Sequence, residues 1–243
     1  MERSNTYVFI YAIALVVVVA AVLSFTAHTL KDRQIANVKN EKRENILATI
    51  NIPYDGKDVQ KLFDTYITES FVVNAQGDVE PYITLQDGKT TDTLTAFEID
   101  LKKEYARPLE ERNLPLFKAS VDNKNIYIIP LRGKGLWGPI WGYISLEEDL
   151  STVFGVVFDH KGETPGLGAE INTDGFMEQF IGKKIFDKTG DFTSIEVIKG
   201  GAKPDNMHGV DAISGGTITS NGVSEMLNES LQGYLSFFKS NKK

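Results

Sequence analysis

The chain has 243 residues, a net charge of −7 and a pI of about 5.1, and this acidic balance argues against a nucleic-acid partner. Hydrophobic residues make up 42% and charged residues 24%, which is typical of a folded protein. The chain contains no cysteine, which excludes disulfides, cysteine-held zinc or iron–sulfur clusters, and a thiolate nucleophile.

The remaining candidates for direct chemistry on this chain are few. The three histidines, His28, His160 and His208, are far apart and fit no metal-ligand spacing, so we predict no metal site. No grouping of serine, histidine and carboxylate indicates a hydrolase. We therefore predict no catalytic residue on the chain itself.

Residues 7–27 read YVFIYAIALVVVVAAVLSFTA and carry no charge. About 20 apolar residues suffice for a helix to cross the hydrocarbon core of a membrane. A cleaved signal peptide is the alternative, but its apolar region is shorter and is followed by a small-residue cleavage site, which we do not find here. We predict a retained single-pass anchor over residues 1–30, in contact with membrane lipid.

The charges around this segment do not determine its orientation. Arg3 precedes the segment, and five basic residues follow it: Lys31, Arg33, Lys39, Lys42 and Arg43. The excess after the segment would keep the following domain in the cytoplasm. The rule is weak for long translocated domains, however, and acidic residues are interspersed among the basic ones.

The next part of the chain is predicted to be helical. Apolar residues recur on one side over residues 31–50, and Pro53 ends the pattern because proline cannot continue a helix. We predict a stalk or linker over residues 31–56 and a short second helix over residues 58–68.

Residues 57–243 are predicted to form one soluble α+β domain, because strands and helices do not alternate regularly. Apolar and β-branched runs predict strands over 71–73, 82–85, 126–131, 136–146, 154–158 and 192–198, the first two forming a hairpin around a turn at 74–77. A short helix is predicted over 176–185. A C-terminal helix is predicted from one apolar stripe formed by Val223, Met226, Leu227, Leu231, Tyr234, Leu235 and Phe238.

The segment before this last helix, residues 211–221, reads DAISGGTITSN. Gly215 and Gly216 permit close approach of a ligand to the backbone, and hydroxyl groups come from Ser214, Thr217 and Thr219. Ser220 and Asn221 are good N-cap residues, so we predict that the helix begins there, with a phosphate favoured at its N-terminus. An ordinary helix-capping turn has the same composition, and the pattern alone leaves both interpretations open.

The run SGGTIT, residues 214–219, resembles the S/T-G-A-T-x-T motif of covalent FMN-binding domains, with Gly216 in place of the usual alanine. The resemblance implies an FMN whose phosphate is esterified to Thr219. It also implies a separate flavin transferase that builds this phosphoester from FAD, since a threonine hydroxyl by itself is a weak nucleophile.

A second run, GETPGLG at residues 162–168, is similar to a segment of the C subunits of Na⁺-translocating NADH:quinone reductases and of the G subunits of Rnf complexes. Read alone, it is an ordinary rigid turn. The resemblance implies the opposite wall of a flavin site, which includes Gly168. Glu163 and Thr164 would then bond the polar edge of the isoalloxazine, and Leu167 would pack on the ring.

A third run, GKGLWG at residues 133–138, resembles the G-x-G-L-W segment of the same C subunits. Leu136 and Trp137 would cover the flavin face by stacking. Packing in the core is the alternative, and it fits Trp141 better than Trp137. This run favours the NADH:quinone reductase family over the Rnf family.

The resemblance implies an electron-carrying member of a complex in a bacterial inner membrane, with the flavin domain on the periplasmic side. Electrons would pass from NADH towards quinone, coupled to sodium export, and other subunits would supply the NADH, quinone and ion sites. Two alternatives remain: the flavin-carrying G subunit of an Rnf-type ferredoxin:NAD⁺ oxidoreductase, and a membrane-tethered binding or scaffold module without flavin.

Overall fold

The computed structural model describes residues 4–80, 83–86, 89–93 and 96–242. The chain divides into two compact units, Met1–Arg43 and Glu44–Lys243. Helix α1 (Asn5–Thr49) runs through the first unit, and its last six residues belong to the second. It contains an 18-residue window with a mean hydropathy of 2.9. This helix is long and apolar enough to cross a membrane, as predicted for the anchor, although a signal sequence would meet the same criterion.

The predicted helix over residues 31–50 is the second half of α1. It ends at Thr49, and Asn51 then adopts a left-handed backbone conformation with φ of 59° ahead of Pro53. Helix α2 (Val59–Tyr66) follows and begins at Asp58, whose side chain accepts a hydrogen bond from the Lys61 amide.

A six-stranded antiparallel sheet forms the centre of the second unit, in the order β2-β1-β5-β6-β7-β8. Its strands are β1 (Ile67–Val73), β2 (Val79–Glu80), β5 (Leu114–Val121), β6 (Lys124–Lys134), β7 (Pro139–Leu146) and β8 (Val153–His160). A separate antiparallel pair comprises β3 (Ile83–Gln86) and β4 (Lys89–Thr93), and a parallel pair comprises β9 (Glu196–Ile198) and β10 (Gly209–Asp211).

The middle strands of the large sheet, such as β5 and β7, are mostly buried on both faces, which explains why they read as continuous apolar runs. In β5, Leu114 and Leu116 belong to one apolar cluster, while Phe117 and Ala119 belong to another. The first cluster includes the C-terminal helices, and the second includes Ile46, Leu47 and Ile50 from the end of α1 and the turn after it. Alternate side chains of one strand therefore serve two cores.

The helices of the second unit complete the predicted α+β fold. They are α2, α3 (Leu101–Tyr105), α4 (Asp174–Met177), α5 (Thr217–Gln232) and α6 (Leu235–Asn241). The predicted C-terminal stripe is buried except for Leu235, which is partly buried, but the helix is divided into α5 and α6 at Gly233 and Tyr234. The predicted helix over 176–185 is wrong in length, because α4 is short and Lys184 already forms a β-bridge with Thr152.

Two strand predictions also need correction. The hairpin partner of β1 is β2, whereas β3, which overlaps the predicted strand 82–85, pairs with β4; Tyr82 lies outside the described residues. The predicted strand 192–198 is reduced to β9, since Ser194 has a left-handed φ of 58° that interrupts an extended run.

Candidate functional site

The first part of the site is the tight turn between β6 and β7. The amide of Gly135 donates to the carbonyl of Gly138 at 2.8 Å, which places Leu136 and Trp137 at the tip. The two side chains are 47% and 69% exposed. The predicted strand 136–146 therefore begins later, at Pro139, and core packing does not account for Trp137.

The second part is the loop that follows β8. Glu163 lies in this loop and is 5% exposed, and its amide donates to Nδ1 of His160 at 3.2 Å. The carbonyl of Thr164 accepts from the amides of Leu167 and Ala169, both at 3.1 Å. These bonds close a compact turn that presents Leu167, 41% exposed, at the surface.

The third part is the N-terminus of α5. Gly215 has φ of +75°, and Gly216 precedes the helix without a side-chain cap. The carbonyl of Gly216 accepts from the amide of Ser220 at 2.8 Å, so the helix begins at Thr217. Thr219 therefore lies in the first turn, where helix amides have no partner within the helix and the dipole is positive.

This start differs from the predicted one at Ser220 or Asn221. Ser220 is buried inside the helix, and its hydroxyl accepts from the amide of Ile213 at 3.2 Å. Gly215 and Gly216 turn the chain early enough for the helix to start before either N-cap candidate. Ser214 is exposed on this turn and is not among the residues that line the cleft described below.

One pair of side chains connects the three parts. The hydroxyl of Thr219, 1% exposed, donates to Oε2 of Glu163 at 2.6 Å. The other carboxylate oxygen of Glu163 accepts from the amide of Trp137 at 2.9 Å. Glu163 therefore bonds both the helix N-terminus and the β6–β7 turn, instead of presenting a free carboxylate to a ligand.

Glu163 is held in its ionised form by these contacts. Burial raises the pKa of the carboxyl, but the hydrogen bonds from the Thr219 hydroxyl and from the amides of Trp137 and Leu136 outweigh burial, and His160 adds a smaller effect in the same direction. The pKa of Glu163 is therefore lowered, and the group is a charged acceptor at neutral pH.

Two glycines make room for this pair. A Cβ at Gly168 would lie 2.5 Å from Oγ1 of Thr219 and 2.6 Å from Oε2 of Glu163, and a Cβ at Gly135 would lie 2.6 Å from Oε1 of Glu163. Real Cβ atoms do not approach other atoms so closely, so neither position accepts a side chain without displacing Glu163.

The three parts enclose an open cleft of about 240 Å³, here called the Thr219 cleft, lined by Leu136, Trp137, Glu163, Thr164, Leu167, Gly168, Gly215, Gly216, Thr217, Ile218 and Thr219. All the site residues predicted from sequence are here except Ser214. Ile218, 58% exposed, was not predicted, because it occupies the variable position of the motif. Leu136, Trp137, Leu167 and Ile218 give the cleft an exposed apolar rim.

The arrangement fits a phosphorylated compound that carries a flat apolar ring. The amides and the positive dipole at the start of α5 favour a phosphate beside the Thr219 hydroxyl. The apolar rim offers Trp137 and aliphatic side chains on which a ring system packs. Four exposed large apolar side chains gathered at one cleft are typical of a binding surface.

Comparison with known proteins agrees with this geometry. The FMN-binding domain family matches residues 135–232, which include all three parts of the site. The C subunit of the Na(+)-translocating NADH-quinone reductase of Vibrio vulnificus is 34% identical over 216 residues, covering 87% of this chain and 84% of that protein. The C subunit of the same reductase in Pseudomonas aeruginosa is 32% identical over 242 residues, covering 93% of this chain and 91% of that protein.

Solved structures give the same result. The crystal structure of the Na(+)-translocating NADH-quinone reductase C subunit from Parabacteroides distasonis superposes with a TM-score of 0.74 at 42% identity, covering 86% of this chain and 96% of that chain. This chain belongs to the family of Na(+)-translocating NADH-quinone reductase C subunits. NqrC of Shewanella oneidensis matches with a TM-score of 0.70 at 27% identity, covering 84% of this chain and 98% of that chain.

Membership of the C-subunit family confirms the predicted choice between related flavin proteins. It assigns an FMN-binding domain to the part of the chain that carries the Thr219 cleft. It also makes the chain one subunit of a larger complex, so other subunits are its partners. The match to an FMN-binding domain favours a flavin carrier over a flavin-free scaffold.

Proposed function

We propose that this chain carries an FMN esterified through its phosphate to Thr219, and that it relays electrons from NADH towards quinone within a Na⁺-translocating complex. The observation that supports the linkage most directly is the position of Thr219. Its hydroxyl lies in the first turn of α5, lines the Thr219 cleft and is bonded to a buried carboxylate. FMN, once bound, supplies the redox chemistry, and the chain supplies position and environment.

Each part of the site has a separate task in this proposal. The start of α5 stabilises the phosphate by its amides and dipole. The rim of Leu136, Trp137, Leu167 and Ile218 packs on the ring, and the Thr164 hydroxyl bonds its polar edge. Glu163 holds Thr219 in place through the hydrogen bond to its hydroxyl, and Gly168 leaves room for this pair because it has no side chain. A covalent link also prevents loss of the cofactor between electron-transfer steps.

We place the flavin domain on the periplasmic side of a bacterial inner membrane, with residues 1–30 as the anchor, 31–56 as the stalk and 57–243 as the flavin domain. The end of the stalk, from Glu44, belongs to the same compact unit as the domain. The family resemblance supports the periplasmic side, whereas the basic residues after the anchor favour the opposite one. A reporter fused to the C-terminus tests the orientation. Activity of a periplasm-specific reporter is expected, and activity of a cytoplasm-specific reporter would reverse the assignment.

The covalent link is tested by mass and fluorescence. The full chain is co-expressed with a flavin transferase that uses FAD, and wild type is compared with Thr219→Ala. We expect wild type to gain the mass of one FMN and to fluoresce in a denaturing gel. Thr219→Ala is expected to lose both signals, because no other atom at this position can form the ester.

Thr217→Ala is the matched control, since Thr217 lines the same cleft two residues away. It is expected to keep the adduct. An adduct that persists in Thr219→Ala and is lost in Thr217→Ala would move the linkage to Thr217. An unmodified wild-type chain beside a demonstrably active transferase would exclude covalent attachment.

A further inference from the structure

We propose that Glu163 orients the Thr219 hydroxyl for flavin attachment and accepts its proton during that reaction. This inference rests on the proposed covalent link at Thr219. It starts from the 2.6 Å bond between Oγ1 of Thr219 and Oε2 of Glu163, two side chains that are 1% and 5% exposed. A buried hydroxyl that donates to a charged carboxylate is positioned for attack by its remaining lone pairs.

The reaction needs such a group because a threonine hydroxyl is a poor nucleophile. In the proposed step, Oγ1 of Thr219 forms a bond to the phosphorus of the FMN half of FAD. The pyrophosphate P–O bond to the adenylate breaks, and AMP leaves. The hydroxyl proton passes to Oε2 of Glu163 and then to solvent, and nothing is oxidised or reduced. Protein kinases use a carboxylate in the same way to accept the proton of a substrate hydroxyl.

Glu163 is held rigidly enough for this role. Its second oxygen, Oε1, accepts from the Trp137 amide at 2.9 Å, which directs Oε2 at Thr219. The same hydrogen bonds keep the pKa of the carboxyl below its ordinary value despite burial, so the acceptor is ionised at neutral pH. The negative charge opposes an incoming phosphate, and the positive end of α5 offsets that repulsion.

A purely structural role for Glu163 predicts a different result. Glu163 also joins the β6–β7 turn to α5, so its loss could disturb the surface that the transferase recognises. A disturbed surface raises the KM of the transferase for this chain. A misplaced or unassisted hydroxyl lowers kcat instead. The two roles are therefore separable by steady-state kinetics.

The experiment uses the full chain in detergent, FAD and a purified flavin transferase, with AMP release and in-gel flavin fluorescence followed over time. Glu163→Gln removes the charge at constant size, and Glu163→Asp keeps the charge but withdraws it by about one bond length, ~1.5 Å. Glu170→Gln is the matched control, because Glu170 lies in the 3-10 helix directly after the same loop and its carboxylate accepts from the Gly166 amide at 2.8 Å.

We expect Glu163→Gln to lower kcat about 100-fold, the usual size of a general-base contribution. Its KM should stay within about twofold of wild type, as for an interaction made only in the transition state. Glu163→Asp should restore part of kcat, and Glu170→Gln should match wild type. Circular dichroism and thermal unfolding of each variant verify that it is folded.

A folded Glu163→Gln chain that is modified at the wild-type kcat would overturn the proposal, and so would a loss confined to KM. If Glu163→Gln does not fold, Glu163→Asp decides, and a wild-type kcat in that variant overturns the proposal equally. An unmodified wild-type chain would instead exclude the covalent link itself, which is recognised before any variant is compared.

Discussion

The Thr219 cleft and a second, larger cleft on the same unit differ in how their polar groups are bonded. The larger one, here called the Asp149 cleft, has a volume of about 400 Å³ and is lined by Asp149, Ser151, Lys184, Phe186, Asp187, Lys188, Met207, His208 and Lys242. Volume alone would favour it over the Thr219 cleft as a binding site. Its chemistry does not support that choice.

The two aspartates of the Asp149 cleft bond their near neighbours, whereas Nδ1 of His208 lies 2.6 Å from the Lys184 carbonyl oxygen. Asp149 accepts from the amides of Ser151 and Thr152 at 2.9 and 2.8 Å, and from the Thr152 hydroxyl at 2.6 Å. Asp187 accepts from the amide and hydroxyl of Thr189. Such contacts stabilise turns, which is the ordinary role of aspartate outside regular elements.

In the Thr219 cleft, by contrast, Thr219 bonds a residue 56 positions away in the sequence, and four large apolar side chains are exposed around the pair. In the Asp149 cleft the exposed large apolar residue is Met207, 42% exposed. A buried hydroxyl–carboxylate pair beneath an exposed apolar rim, and not volume, therefore distinguishes the Thr219 cleft from the Asp149 cleft.

The most disruptive test of this contrast is Gly168→Ala. The new methyl group would meet both Thr219 and Glu163, so we expect a loss of about 2–3 kcal/mol of stability, as in overpacked cores, together with loss of flavin attachment. Thermal unfolding and in-gel fluorescence measure the two effects.

Gly162→Ala is the control for Gly168→Ala. A Cβ at Gly162 would meet nothing within 4 Å. The free energy of unfolding is therefore expected to change by no more than about 0.5 kcal/mol. Flavin attachment at the wild-type level in Gly168→Ala would show that the close packing around Thr219 is not required.

A smaller loss of stability is expected for Asp149→Asn, which changes the Asp149 cleft. The pKa of Asp149 is lowered because hydrogen bonds from Thr152 and Ser151 outweigh its partial burial. An aspartate whose pKa is lower in the folded state than in the unfolded state stabilises the fold at pH values above the ordinary aspartate pKa. This stabilisation is lost as the pH falls through the folded-state pKa. Asp149→Asn should therefore cost about 1 kcal/mol near pH 7.

The difference between wild type and Asp149→Asn should vanish below the folded-state pKa of Asp149. Thermal unfolding from neutral to strongly acidic pH measures it, and flavin attachment should match wild type throughout the neutral range. Reduced attachment in a folded Asp149→Asn chain would contradict the assignment of the two clefts.

The smallest loss of stability is expected for Trp137→Ala, and only in the chain that carries the attached flavin. Trp137 is 69% exposed, so its removal should barely affect the unmodified chain. If it stacks on the flavin, the stabilisation that flavin adds should fall by about 0.5 kcal/mol. Unfolding of modified and unmodified chains measures this, with Met207→Ala as the control from the other cleft. An equal loss in both chains would argue against stacking.

Local patterns predicted segments of β1, β6, β7 and β8 but missed β5 (Leu114–Val121). A local pattern also caused an error at the C-terminus. The break between α5 and α6 was not predicted, because Tyr234 and Phe238 continue the helical period. The Tyr234 hydroxyl donates to the Pro115 carbonyl at 2.7 Å, a tertiary contact that no periodicity reveals.

The candidate site was also predicted from local patterns alone. Three short motifs predicted which segments form the cleft, but the Glu163–Thr219 bond depends on how those segments meet. Glu163 was therefore expected to face the flavin ring, whereas its carboxylate bonds Thr219 and the Trp137 amide. Ser220 was expected to cap α5, but two glycines start the helix earlier.

The last turn of α1 limits where the chain can be cut to release a soluble fragment. Ile46, Leu47 and Ile50 are 0% exposed, and the Thr49 carbonyl accepts from the Ser145 hydroxyl at 2.8 Å. A fragment that began at residue 57 would leave their apolar neighbours in the sheet open to water. Proteolysis or truncation that spares the domain must therefore cleave before Glu44, inside the helix that begins at Asn5.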